Sequence, residues 1–161
     1  MVDRVDKKTI DEKKTKNNTP KILFLDADNS DSAVMFDEVV RHNRFNIVKL
    51  LHEKGFYGSE LTINFAARTG NIEMLEYLYE RGYRGTDEAV DFAAIANSIT
   101  MLECLHNKAY KGTKNVMNVA AKSGSLEAIK WLYEHGYKYT NDALRLAINN
   151  CHFDVVEWFL S

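Results

Sequence analysis

The bulk chemistry of this chain names no ligand. Lysine and arginine nearly balance aspartate and glutamate, leaving a formal net charge of −2, so the strongly basic character of a dedicated nucleic-acid binder is missing. Cys104 and Cys151 are the only cysteines; they suggest no designed disulfide, and no Cys or His spacing matches a zinc site. No stretch approaches the roughly 20 apolar residues of a membrane-spanning helix, and the N-terminus is charged rather than apolar. Glycine occurs singly and never as a phosphate-cradling run. No Ser, His and Asp set or carboxylate pair stands outside the columns described next. A soluble protein is therefore expected, with no catalytic residues, no cofactor and no metal.

What the chain does have is a period. At a spacing of 27 residues, Gly55, Gly82 and Gly136 share one column, and Phe56, Tyr83, Tyr110 and Tyr137 form the next. Leu51, Leu78, Leu105, Leu132 and Phe159 make another, as do Val39, Ala66, Ala93, Ala120 and Ala147. Ser59, Thr86, Thr113 and Thr140 also recur. Columns of matched chemistry imply stacked copies of one small unit, each dependent on its neighbours to bury its apolar face.

One copy reads as two short helices. Leu61 and Phe65 stand at the i, i+4 spacing of an apolar helix face that Gly70 stops. Asn71 is a good N-cap for a second helix carrying Ile72, Met74, Leu75 and Leu78, with Glu73 placing negative charge in its first turn. Gly82 then suits a left-handed C′ position, with Tyr83 folding back onto Leu78 in a Schellman motif. The Tyr/Phe column is thus structural. Ser59, Thr86, Thr113 and Thr140 are expected to cap the helices that follow. Paired alanines let neighbouring copies approach closely. Tyr77, Cys104, Trp131 and Trp158 share a filler column, which makes Cys104 a packing residue rather than a nucleophile. The histidines are scattered: His52 and His106 share a column two copies apart, about 20 Å and too far for one metal ion.

The run from Phe65 to Leu78 followed by Gly82, and again Val119 to Gly136, resembles the core of an ankyrin repeat; the resemblance covers roughly Ser32 to the C-terminus. It implies an all-α solenoid of stacked helix-turn-helix repeats. The family's period is about 33 residues, so the shortfall implies shortened inter-repeat hairpins, in the style of short copies from protists and large DNA viruses. Its Thr-Pro-Leu-His signature is absent, and the His column reads Asn64, Asp91, Asn118 and Arg145. The expected organisation is a charged, disordered tail at 1–19, a capping segment at 20–30 that carries Ile22 to Leu25, and repeats at 31–59, 60–86, 87–113, 114–140 and 141–161, the last truncated.

With short hairpins, recognition is expected to rest on the exposed, concave side of the first helices. The candidate contacts for an unidentified protein partner are Asn64, Arg68, Asp91, Ile95, Asn118, Lys122, Arg145 and Asn149. Ile95 stands out as apolar in a column where neighbours are charged. The alternative is a binder of acidic polymers such as nucleic acid through the ladder Arg84, Lys111 and Lys138, weakened because Tyr57 fills the first copy of that column. The last copy ends on Trp158, Phe159 and Leu160 with no polar outer face, which predicts either self-association there or continuation into further repeats. The expected location is the cytoplasm, that of the host if the source is viral. A nuclear-import reading of Lys7, Lys8, Lys13, Lys14 and Lys16 is diluted by Asp6, Asp11 and Glu12.

Overall fold

The computed structural model describes residues 29–161, and all regular structure in them is α-helical. The charged tail and nearly all of the capping segment expected from the sequence lie outside the described residues. Among the described residues ten helices form five antiparallel pairs: α1 (Asn29–Arg41) with α2 (Phe45–Glu53), α3 (Thr62–Thr69) with α4 (Ile72–Glu80), α5 (Glu88–Ile95) with α6 (Ile99–Asn107), α7 (Val116–Ser123) with α8 (Leu126–Glu134), and α9 (Asn141–Asn149) with α10 (Phe153–Leu160). The first helices pack in one row, α1 to α3 to α5 to α7 to α9, and the second helices stack behind them. No helix among the described residues is long and apolar enough to cross a membrane.

Local chemistry sets each pair. Asn71 sits in an extended conformation at the N-cap of α4, and its side-chain oxygen accepts from the Met74 backbone N–H at 2.9 Å. Gly82 follows α4 in the left-handed region at φ +90°, and the Tyr83 backbone N–H donates to the Leu78 carbonyl at 3.2 Å, closing the Schellman motif. Ala109 holds the same conformation at φ +67° with the same bond from Tyr110 to Leu105. An L-residue there costs about 1 kcal/mol relative to glycine.

The Ser/Thr column behaves differently from the expectation. Ser59, Thr86 and Thr113 accept through their hydroxyl oxygens from the backbone N–H two residues on, at 3.0, 3.3 and 3.1 Å. They shape a turn ahead of the helix, whose first residue comes later. Thr140 is the N-cap of α9 but makes no side-chain cap bond.

Packing follows the columns. Ala66, Ala67, Ala93, Ala94, Ala120, Ala121 and Ala147 are fully buried between first helices, and Leu78, Leu105 and Leu132 are fully buried beneath the second. Cys104 is half-buried and Cys151 exposed, both as free thiols. Burial pushes the Cys104 thiol above its ordinary pKa, the opposite of what a nucleophilic cysteine needs.

Candidate interaction surface

The eight residues expected to meet a partner do not form one surface. Asn64 is fully buried and Asp91 nearly so, because each reaches the next repeat instead of solvent. The Asn64 amide donates to Thr86 Oγ1 at 2.8 Å, and its oxygen accepts from the Thr86 backbone N–H at 3.0 Å. Asp91 accepts from the Thr113 backbone N–H at 2.9 Å and from the Thr113 hydroxyl. Asp37 repeats this one copy earlier, accepting from the backbone N–H and hydroxyl of Ser59 and from the Thr62 hydroxyl. This polar column is an inter-repeat clamp, and Asn64 and Asp91 drop out as partner contacts. Asn118 is half-buried, and Arg145 is exposed but paired with Asp142 at 2.9 Å.

The next turn of the first helices does face outward. Arg68, Lys122 and Asn149 are exposed and Ile95 is half-buried, one residue per repeat. Beside them runs a ridge of half-buried apolar residues, Phe65, Phe92, Val119 and Leu146, with the Phe65 and Phe92 rings 6.3 Å apart.

This face deepens at its N-terminal end. Between α1 and α3 lies a cavity of about 410 Å³, walled by Ala33, Val34, Leu61 and Phe65 and edged by Glu38 and Arg41. A second cavity of about 280 Å³ shares Glu38 and Arg41 and adds His42, Arg68 and Thr69. The Arg41 guanidinium joins the two, lying over the Phe65 ring at 5.1 Å while an exposed ion pair holds it 3.6 Å from Glu38. Of the expected contacts only Arg68 lines this groove. Val34, in the first repeat and in the column of Leu61, was missed because it lines a groove only where α1 and α3 pack side by side; it is 67% exposed.

The basic ladder is not a free one. Arg84 donates to the Tyr79 and Tyr83 carbonyls at 2.9 and 2.7 Å, and its guanidinium lies 4.0 Å from the centre of the Tyr79 ring. It closes the C-terminus of α4, where the helix dipole favours a cation. Lys111 and Lys138 are exposed.

Behind the second helices, His106 and His135 come together, ring centres 5.2 Å apart, and His135 stacks on Trp131 at 3.7 Å. Among the described residues no three His, Cys, Asp or Glu side chains converge as a metal site. Two repeats away, His52 sits against Tyr57 and Tyr77, its Nδ1 buried without a partner. Burial, helped by Arg81, holds its pKa below the ordinary histidine value.

Residues 90–161 match a family model described as ankyrin repeats in three copies. No curated protein matches the chain. Repeats of this family are in general protein–protein interaction modules rather than enzymes. The helical pairs ahead of residue 90 carry the same left-handed glycine caps and the same polar clamp, with paired alanines in α3 and Val39 and Val40 in their place in α1, and over residues 90–161 the chain belongs to the ankyrin-repeat family, in an all-helical solenoid.

Proposed function

We propose that the chain is a non-catalytic adapter that binds a protein segment in the groove between α1 and α3. The observation that carries this reading is the joined pair of cavities: apolar walls from Val34, Leu61 and Phe65 run into a rim that holds Arg41 and Arg68. Such a groove suits an extended or helical peptide that seats one large apolar side chain and places a carboxylate next to it. Arg68, Ile95, Lys122 and Asn149 then extend the contact along the first-helix face as a rim of mixed chemistry. The two free thiols suit a reducing compartment, and we place the adapter in the cytoplasm.

The test is selection from a random peptide display library on the native chain, followed by anisotropy titration of the recovered peptides. Recovered peptides are expected to share an apolar residue beside Asp or Glu. Leu61→Asp and Arg68→Glu are each expected to weaken them at least tenfold, with unchanged helicity by circular dichroism. Equal binding to native and both variants would overturn the assignment.

A further inference from the structure

In the middle of the stack, away from the groove, His106 and His135 form a pair that the adapter role does not use. Matching by columns hides them, because they are 29 residues apart rather than 27: His106 falls in the column of His52, and His135 in that of Lys54, Arg81 and Lys108. The packing of α6 beside α8 brings the two rings to 5.2 Å centre to centre, with their planes 73° apart. Two imidazoles that each place a nitrogen about 2 Å from one tetrahedral ion have ring centres about 5 Å apart. The observed spacing is that of a chelate.

The surroundings favour a cation at this point. His135 Nδ1 lies 2.7 Å from the Trp131 carbonyl, which can only accept, so in the neutral ring Nδ1 carries the proton and Nε2 the free lone pair. Stacking on Trp131 at 3.7 Å holds the ring plane as well. A backbone carbonyl on the far nitrogen is how metal-ligating histidines are commonly oriented. Both residues also stand at helix C-termini, His106 in the last turn of α6 and His135 as the C-cap of α8, so the negative ends of two helix dipoles come together here. Beside the rings opens a cavity of about 320 Å³, walled by Tyr110, Lys111, Gly136 and Tyr137. Lys111 is the opposing charge; its side chain is exposed, and the Asp87 carboxylate accepts from its backbone N–H at 3.2 Å.

We propose that His106 and His135 together bind one Zn²⁺ ion, or a divalent ion of similar softness, across the junction between the third and fourth helical pairs. Because no third His, Cys, Asp or Glu converges there among the described residues, the remaining coordination positions fall to water in the adjoining cavity. The ion ties α8 to the loop in which Ala109 stands in the column of Gly55, Gly82 and Gly136. Ala109 holds its left-handed conformation at φ +67°, and its backbone N–H donates to the His106 carbonyl at 2.9 Å. A chelate thus reinforces the cap that lacks glycine.

Calorimetric titration of the full chain with zinc chloride near neutral pH tests this, beside His106→Ala, His135→Ala and, as a control on an exposed histidine outside the pair, His42→Ala. The native chain is expected to take up one ion well below millimolar zinc, either substitution in the pair to weaken binding at least tenfold, and the control to leave it unchanged. Cys104 and Cys151 are present in all four chains, so binding through the thiols would survive every substitution. All three substituted residues are exposed, and unchanged circular dichroism is expected throughout. Zinc at a hundredfold excess over its Kd is expected to raise the native Tm by about 5 °C, and to raise that of either pair variant by no more than half as much. Absence of saturable binding to the native chain overturns the proposal, as does an affinity that only one of the two pair substitutions changes, or neither.

Discussion

At the junctions leading into α3, α5 and α7, a carboxylate or amide from the preceding first helix holds the hydroxyl or backbone N–H of Ser59, Thr86 or Thr113. At the junction leading into α9, Asn118 makes no such bond to Thr140, and rings take over. Tyr139 packs on Phe159 with centres 4.5 Å apart and donates to the Phe159 carbonyl at 3.2 Å, while Tyr133 meets Trp158 edge-on at 5.4 Å. The difference traces to one column. Gly58, Gly85 and Gly112 precede the clamped Ser or Thr, and Tyr139 precedes Thr140. A Cβ on Gly85 would lie 2.5 Å from Asn64 Oδ1 and 2.8 Å from Ile63 Cγ2, and on Gly58 it would run into Thr62 Oγ1 and Asp37. At Gly58 and Gly85 polar clamp and side chain compete for the same space, whereas at Gly112 an added Cβ would stand 3.5 Å from Asp91 Oδ1 and the left-handed φ of +68° is what favours glycine.

Breaking the comparison at its tightest point gives the largest expected effect. Gly85→Ala forces the new methyl against the fully buried Ile63 and the clamp oxygen together, neither of which is the free end of a flexible side chain. A loss of about 3 kcal/mol in urea unfolding is expected. If the loss is under about 0.5 kcal/mol, the glycine is not what admits the clamp.

The ring junction should be weaker and local. Tyr139 is 39% exposed, and Tyr139→Ala removes its tilted ring contact with Phe159 and one hydrogen bond to backbone. An expected cost of about 1.5 kcal/mol falls on the last pair, because stability in a solenoid is a sum of repeat and interface contributions. Hydrogen exchange should quicken in α9 and α10 while α3 to α6 keep their protection. Uniform acceleration along the whole chain would mean that the last junction is no weaker than the others.

Much of this fold could be read directly from spacing, because helices, Schellman caps and alanine packing are local or strictly periodic features. Leu78, Gly82 and Tyr83 announce their geometry within six residues. The clamp could not be read in the same way. A column of Asn64, Asp91, Asn118 and Arg145 looks like a solvated face, and what buries its first two members is a partner 22 residues further along. The available signal was the glycine column at Gly58, Gly85 and Gly112, broken by Tyr139 where the clamp lapses. The groove was harder still. Arg68 was recoverable from its register, but Val34 and Glu38 become part of a site only when α1 and α3 pack side by side.

The sharpest comparison is within the clamp itself, between Asn64 and Asp91. Both hold a threonine, but the neutral amide donates to the hydroxyl oxygen of Thr86, whereas the Asp91 carboxylate accepts the hydroxyl proton of Thr113. Burial raises the Asp91 pKa, with smaller contributions from Glu88 and Asp87, and the two Thr113 hydrogen bonds only partly oppose it. A raised folded-state value means that the protonated acid is the form the fold favours. Its stabilising contribution is complete below the unfolded value of about 3.9 and is lost as pH rises through the folded value. Asp91→Asn copies the Asn64 arrangement and removes that dependence. The variant should match the native chain near pH 3 and become more stable as pH rises toward 7, by less than about 1 kcal/mol, or about 3 °C in Tm. A variant less stable at pH 7 than the native chain would show that the charged hydrogen bonds to Thr113 outweigh the cost of burying the carboxylate.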